Sequence, residues 1–440
     1  MSSPSEVLLN NATAGVNLKA VSVAGGDQFS DNFFSKLLAP LLNSADLTVN
    51  QLTTRCQASL ANLALTNCFD TVSVAVVPDP SVPDTPLGLA ANFNLVPAKL
   101  AHTTLGSVYT PEGNQLMLNY LNHNTFGNAE LLNVSSLASL VPDAPLRLLN
   151  VLYKAPLVDP SLRLFANGFV SSSNDTKFQS DQQWVSSGTF GMEKIKLLPN
   201  LSASASAAVS LVKRTTLRVK DGASDEIKTY AGDHLKESLL LSLAAGNLQF
   251  LPSSKNTLPV NGFQWSLKNE VTGLSNTSPE KFVKVESSLQ LVRSVLKNNL
   301  TLDVSAGLGH IINLSRSKTI HYHDKFYLDV LGHGTLGYPG QQQGRFGGTS
   351  YITYKVRLLS RLLFVKPTNP LRLYFDLNGG QVTSDPAQLA QASSLRSGVA
   401  IGLLYKVGSA ADCNLYYQLP LSSQPNVPGV GFNVALYGDY

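Results

Sequence analysis

Charge is scarce in this chain of 440 residues: Asp, Glu, Lys and Arg together make up 14%, well under the usual quarter of a soluble protein. The net charge of +4 is too small for a chain of this length to argue for nucleic acid as a partner. Cysteine is scarcer still. Cys56, Cys68 and Cys413 stand at unrelated spacings, which argues against a disulfide framework and against a cysteine-based metal site. Long apolar runs are also missing. Nothing approaches the roughly 18 consecutive apolar residues of a membrane-spanning helix; the nearest stretch, residues 238–251, is interrupted by Ser242, Asn247 and Gln249, and its leucines suit a strand as well. Residues 1–15 have neither the basic start and apolar core of a secretory signal nor the arginines of an amphipathic presequence. They are expected to form a disordered tail.

Catalytic chemistry is equally absent. The glycines Gly332, Gly334, Gly337 and Gly340 are not a phosphate loop, because no helix carrying Lys-Ser/Thr follows them. His321-Tyr322-His323-Asp324 is the one cluster resembling a metal site, and histidines of a loop without a third ligand are usually just solvated. No catalytic residue, metal or cofactor is expected. Asn-x-Ser/Thr triplets at Asn133, Asn299 and Asn313 read as strand residues in a chain without a secretory route.

What the chain has in abundance is alternation. Leu300, Leu302, Val304, Ala306 and Leu308 oppose Thr301, Asp303, Ser305, Gly307 and Gly309. A helix would scatter those leucines around its surface, whereas a strand sends i and i+2 to one face. Val283, Val285, Leu289 and Leu291 likewise oppose Lys284, Glu286, Ser288 and Gln290. Ile352, Tyr354, Val356 and Leu358 oppose Thr353, Lys355 and Arg357; Leu371, Leu373, Phe375 and Leu377 oppose Arg372, Tyr374, Asp376 and Asn378. The pattern recurs at Leu415, Tyr417 and Leu419, and at Phe432, Val434 and Leu436. Alternation alone fits a soluble antiparallel sandwich or a membrane β-barrel. A soluble chain of this length would divide into about two to four domains, yet no second linker follows residue 100. Low charge and a slightly positive mean hydropathy favour the barrel, over residues 98–440.

The first hundred residues differ. Val16, Leu18, Val21 and Val23 read as a strand closed by Gly25-Gly26. Phe33, Leu37 and Leu41 recur every fourth residue, so residues 30–43 read as one amphipathic helix capped by Ser30, with Pro40 tolerable near its end. Thr48 and Gln51 form a capping-box start for a second helix whose face carries Leu52, Cys56, Leu60 and Leu63. Two alternating strands follow, Val72, Val74 and Val76, then Leu89, Ala91, Phe93 and Leu95.

This β-α-α-β-β order resembles a POTRA module, and residues 16–97 are expected to form one. The step Leu65-Thr66-Asn67-Cys68-Phe69-Asp70 into the third strand matches such modules in detail. Further along, Asn124-Thr125-Phe126-Gly127-Asn128-Ala129-Glu130 resembles a segment between early barrel strands, and Leu373-Tyr374-Phe375-Asp376-Leu377-Asn378-Gly379-Gly380 a strand ending in Asn-Gly-Gly. Gly347-Gly348-Thr349-Ser350-Tyr351, then Ser360-Arg361-Leu362, resembles the strand after a sixth loop. In this order, over most of the chain, the motifs resemble the BamA-type outer membrane protein 85 superfamily. Within it they are most similar to the barrel subunit of the mitochondrial sorting and assembly machinery. In the family the sixth loop folds into the barrel and carries Leu/Ile/Val-Arg-Gly-Phe/Tyr. Here Leu336, Gly337 and Tyr338 stand at the matching place without the Arg, and Arg345 follows seven residues after Tyr338.

The resemblance implies a sixteen-strand transmembrane antiparallel barrel with an α+β POTRA domain, a helper of folding and not an enzyme. It implies insertion of unfolded β-barrel precursors into the mitochondrial outer membrane, with the POTRA domain in the intermembrane space and peripheral subunits as partners beside the lipid bilayer. A plastid outer envelope is the alternative location. The gate would lie between a first strand carrying Leu100, His102, Thr104, Gly106 and Val108 and a last strand carrying Gly429, Gly431, Phe432, Val434 and Leu436. The glycines Gly429, Gly431 and Gly438 weaken such a strand, and Pro425 and Pro428 remove donors at its start; equally, glycine is common in barrels and the prolines mark a turn. Lys284, Glu286, Asp303, Lys355, Arg357, Arg372 and Asp376 inside the barrel also fit a channel or polypeptide transporter. The missing Arg fits a structural paralogue with reduced insertion.

Overall fold

A computed structural model describes residues 12–43, 46–78, 88–110, 113–140, 147–157, 159–174, 181–198, 201–223, 225–251, 258–275, 280–315, 320–327, 347–362, 365–366, 369–391, 395–407, 411–421 and 429–439. The expected tail, residues 1–15, lies mostly outside them. By backbone packing the chain divides into two units. One is Met1–His102 with Tyr120–Asn133 and Leu152–Phe165; the other is Thr103–Asn119 with Val134–Val151 and Ala166–Tyr440.

The first unit begins with β1 (Gly15–Ala24), α1 (Asp31–Leu37), α2 (Ala39–Leu42), β2 (Asp46–Thr48), α3 (Val49–Leu65), β3 (Phe69–Pro78) and β4 (Gly88–Pro97). Its sheet runs β2-β1-β4-β3, with β1 and β4 parallel and the other pairs antiparallel. Phe33, Leu41, Leu63, Ala91 and Phe93 form its centre, each at most 3% exposed. Thr48 makes the full capping box: its Oγ1 accepts from Gln51 N, and Gln51 Oε1 accepts from Thr48 N. The single helix expected over residues 30–43 is instead two. Ser30 does cap the first, accepting from Phe33 N at 3.1 Å, but the helix stops at Leu37 because Pro40 has no N–H and its ring crowds the carbonyl four residues back. Pro40 sits in the first turn of α2, where the lost donor has no partner to miss. The three-residue strand β2 also escapes a reading by periodicity, being too short to alternate.

The barrel strands follow: β5 (Ala101–Thr110), β6 (Gly113–Asn122), β7 (Leu131–Ser139), β8 (Arg147–Pro156), β9 (Leu162–Asn174), β10 (Gln182–Leu198) and β11 (Leu201–Leu217). After a short helix, α4 (Asp225–Thr229), come β12 (Gly232–Gly246), the two-residue β13 (Gln249–Phe250), β14 (Pro259–Thr272), β15 (Phe282–Val295) and β16 (Leu300–Asn313). The set ends with β17 (Ser350–Arg361), β18 (Arg372–Thr383), β19 (Arg396–Val407), β20 (Ala411–Pro420) and β21 (Gly429–Asp439). Each long strand pairs with the next and β21 returns to β5, so the sheet closes on itself. Setting β13 aside, it has the sixteen strands expected. The strand carrying Asn378-Gly379-Gly380 does not end there; β18 continues to Thr383.

Burial in this sheet is the reverse of a soluble protein's. Val209, Phe190, Leu308 and Ile401 are more than half exposed, while Asp376 and Ser238 are wholly buried. The apolar members of the alternating runs point out and the polar ones point in, an arrangement stable only where the outside is lipid. Closure matters for the same reason. In hydrocarbon every backbone donor and acceptor must pair within the protein, and a closed sheet leaves no edge. Among the described residues no helix is long and apolar enough to cross a membrane; strands do the crossing.

Candidate functional site

Among the described residues the barrel closes between β21 and β5 by six residue pairs, from Val434 opposite Tyr109 to Asp439 opposite Thr104. The ladder between β10 and β11 has seventeen pairs, Gln182 opposite Leu217 through Leu198 opposite Leu201, and that between β20 and β21 has eight. The two seam strands are offset in register, with residues 429–433 of β21 and residues 101–103 of β5 outside the described ladder. Thr104, Gly106 and Val108 lie within the six-pair ladder, as do Val434 and Leu436. Gly429, Gly431 and Phe432 belong to β21 but precede the ladder, and His102 precedes it on β5. Leu100 is elsewhere. It lies before β5 and packs against the core of the first unit, its carbonyl accepting from His123 N at 2.8 Å. The resemblance put it on the seam; the break in the strand at residues 98–100 removes it.

Leu336, Gly337, Tyr338 and Arg345 lie outside the described residues. The start of their loop is described, and it is anchored by Asp324 and Tyr322, which the sequence singled out only as neighbours of two loop histidines. Asp324, 3% exposed, accepts from Arg214 Nη1 at 2.6 Å, Arg214 Nη2 at 2.9 Å and Lys236 Nζ at 2.6 Å. Tyr322 Oη donates to the buried carboxylate of Asp181 at 2.8 Å. Among the described residues no group of His, Cys, Asp and Glu is placed to hold a metal ion. The spacing of Asp324 in sequence gave no hint of its partners, which lie 88 and 110 residues away.

The wall carries a second buried pair. Arg357 on β17 donates through Nε and Nη2 to the two oxygens of Asp376 on β18, each at 2.6 Å. The ring of Tyr374 stacks 4.6 Å from the guanidinium. Gln290 Nε2 meets both oxygens of Asp303, at 3.0 and 3.1 Å.

The motif 124–130 sits between β6 and β7 and belongs to the first unit. Gly127 has φ +91°, a conformation open to glycine at little cost. Its carbonyl accepts from Ser30 N at 2.9 Å, Asn128 Oδ1 accepts from Ser30 Oγ at 2.7 Å, and Asn124 Nδ2 donates to Gln28 O at 2.8 Å. Glu130 ties the turn internally, accepting from Phe126 N, Asn128 N and Asn128 Nδ2. Burial resists charge on Glu130, but backbone N–H groups of Glu130 itself, Asn128 and Phe126, with the Asn128 amide, outweigh it and hold the carboxyl below its ordinary range. Cys68 lies alongside, its Sγ 3.3 Å from His123 O, and burial pushes its thiol up to about 11. It is an inert core residue.

A closed antiparallel sheet with an apolar outer face and a charged interior defines a membrane β-barrel. The chain belongs to the Omp85 superfamily: the Omp85 superfamily domain matches residues 124–436. It is 26% identical over 454 residues to a SAM50-like protein of Schizosaccharomyces pombe (strain 972 / ATCC 24843), covering 95% of this chain and 89% of that one. Its fold is similar to that of BamA from Haemophilus ducreyi lacking POTRA domains 1-3, with a TM-score of 0.71 at 11% identity, over 96% of this chain and 85% of that one. It is also similar to CdiB from Escherichia coli, TM-score 0.66 at 14% identity, over 96% and 76% of the two chains. Barrels of this superfamily are assembly or transport factors of outer membranes.

Proposed function

We propose that this protein inserts β-barrel precursors into the mitochondrial outer membrane, through the seam between β21 and β5. The six-pair closure of that seam carries the reading. A barrel sits in lipid because its edges are paired; an insertase must release one pair of edges, and a short ladder is the one that opens at least cost. Parting β21 from β5 bares a strand edge, which templates pairing with another strand. A precursor's terminal strand would add to β5 by backbone hydrogen bonds, largely independent of its side chains. The SAM50-like relative supports the mitochondrial location and peripheral partner subunits, and residues 16–97 would be the POTRA domain, facing the intermembrane space.

Cysteines placed one at a time at Thr104, Gly106 and Val108 should crosslink to a barrel precursor arrested in transit. No crosslink, together with normal levels of other outer-membrane barrels after depletion, would reject insertion. The polar interior of the barrel supports a channel as the second reading, its mixed charges arguing against strong ion selectivity. A channel would give stable conductance in planar bilayers and leave barrel biogenesis untouched.

A further inference from the structure

The sixth loop enters the barrel interior on a segment, residues 320–327, whose described loop residues supply an acid and no arginine to the contact. We infer that Asp324 is the residue that positions this loop, an acid of the loop received by two cations of the wall, Arg214 on β11 and Lys236 on β12. Charge on the wall is arranged to receive it. Arg214 meets both carboxylate oxygens, and Lys236 Nζ bridges Asp324 at 2.6 Å to Glu270 on β14 at 2.8 Å. Lys284 on β15 donates to the Asp324 carbonyl at 3.1 Å and lies 4.5 Å from the ring of Phe326. Glu280, before β15, accepts from the His321 backbone N–H. Three strands, β11, β12 and β15, thus hold one three-residue turn, Tyr322–Asp324, with Glu270 of β14 behind Lys236.

Packing points to the same role. Phe326, 2% exposed, stacks edge-on against Tyr351 with ring centroids 4.6 Å apart. A side chain at Gly309 would meet Tyr351 at 2.3 Å and Phe326 at 2.9 Å, so the wall is flat where the loop lies on it. Phe326 and Gly348 exchange two backbone hydrogen bonds, at 2.9 and 3.0 Å. Ala223, Ile227 and Tyr230, from the connection between β11 and β12, cluster with Tyr322.

The polarity is the reverse of that implied by the family motif, where a loop arginine meets acids of the wall. The reversal has a reason in the wall itself. Asp376 is held at both oxygens by Arg357 of the neighbouring strand, and Asp303 is held by Gln290. A loop guanidinium would find these acids taken, while without Asp324 the buried Arg214 would lose its forked partner and Lys236 would keep only Glu270.

Hydrogen–deuterium exchange of the full-length protein in phosphatidylcholine nanodiscs tests this, read on residues 320–327 and on β10–β12 and β15–β17. Asp324→Asn should speed exchange of 320–327 on the order of 100-fold, because removing one partner of a buried pair strands the other. Arg214→Lys, which keeps the charge and loses the forked contact, should speed it about tenfold, and Asp324→Glu should fall between wild type and Asp324→Asn. Strand exchange should stay at the wild-type rate in all three. Unchanged exchange of 320–327 in both Asp324→Asn and Arg214→Lys would overturn the inference. So would an equal rise in the strands and the loop, since Asp324 would then stabilise the barrel as a whole. None of these readouts depends on insertion activity, so the inference stands or falls apart from the proposed function.

Discussion

Arg357 and Asp376 face each other across β17 and β18 with both forked contacts made and almost no water. Such a pair is weak evidence for net stability, because desolvating both charges offsets much of their attraction. Breaking it is another matter. Arg357→Met leaves a wholly buried carboxylate alone and should cost about 3–5 kcal/mol, whereas Arg357→Met with Asp376→Leu should recover most of that. Urea unfolding in lipid vesicles measures both; a double variant no more stable than the single would refute the account. Asp376 and Arg357 were legible in the sequence as residues of the polar face, because strand parity groups i and i+2. Their pairing was not, since parity says nothing of which neighbouring strand lies in which register. Asp324 gave no signal for a related reason: as a loop residue it has no parity at all.

At the scale of elements, the seam between β5 and β21 has fewer described pairs than the ladders between β10 and β11 and between β20 and β21. Ser107 and Leu436 stand directly opposite each other. With cysteine at both positions, oxidation should stop insertion of a barrel precursor into isolated membranes and reduction should restore it. The same pair at Leu403 and Leu415, across β19 and β20, should leave insertion unchanged. Equal insertion by the oxidised and reduced seam variant would mean that these strands need not part. The last seam strand was readable from the alternation of Phe432, Val434 and Leu436, whereas the first, with no apolar face of its own, came only from the resemblance. Leu100 shows the limit: a resemblance does not tell where a strand stops and a core begins. The broken helix at Leu38 was readable in principle, since Pro40 stood in the sequence, but the apolar spacing of Phe33, Leu37 and Leu41 runs smoothly across the break and hides it.

For the whole molecule, the sign of burial decides between a soluble sandwich and a membrane barrel, and periodicity cannot supply it. Both have one apolar face per strand; only the packed structure shows that Val209, Leu289 and Phe375 look outward. Val209 lies at the middle of β11. Val209→Arg should therefore destabilise the folded barrel by about 2–4 kcal/mol in a lipid bilayer, and Ser210→Thr, one residue on and facing inward, should change little. Unfolding titrations in vesicles test the contrast, and indifference to Val209→Arg would mean that this face is wet.

The contact between Asp324 and its two cations also sets an order of events during folding. Arg214 and Lys236 lie 110 and 88 residues before Asp324, so the turn cannot be seated until β11 and β12 stand side by side and the chain has run on through β16. Loops closed over such separations form late. The ion pair is then a marker of completion: a half-built barrel leaves Arg214 without its forked partner, and only a nearly finished one brings it that acid.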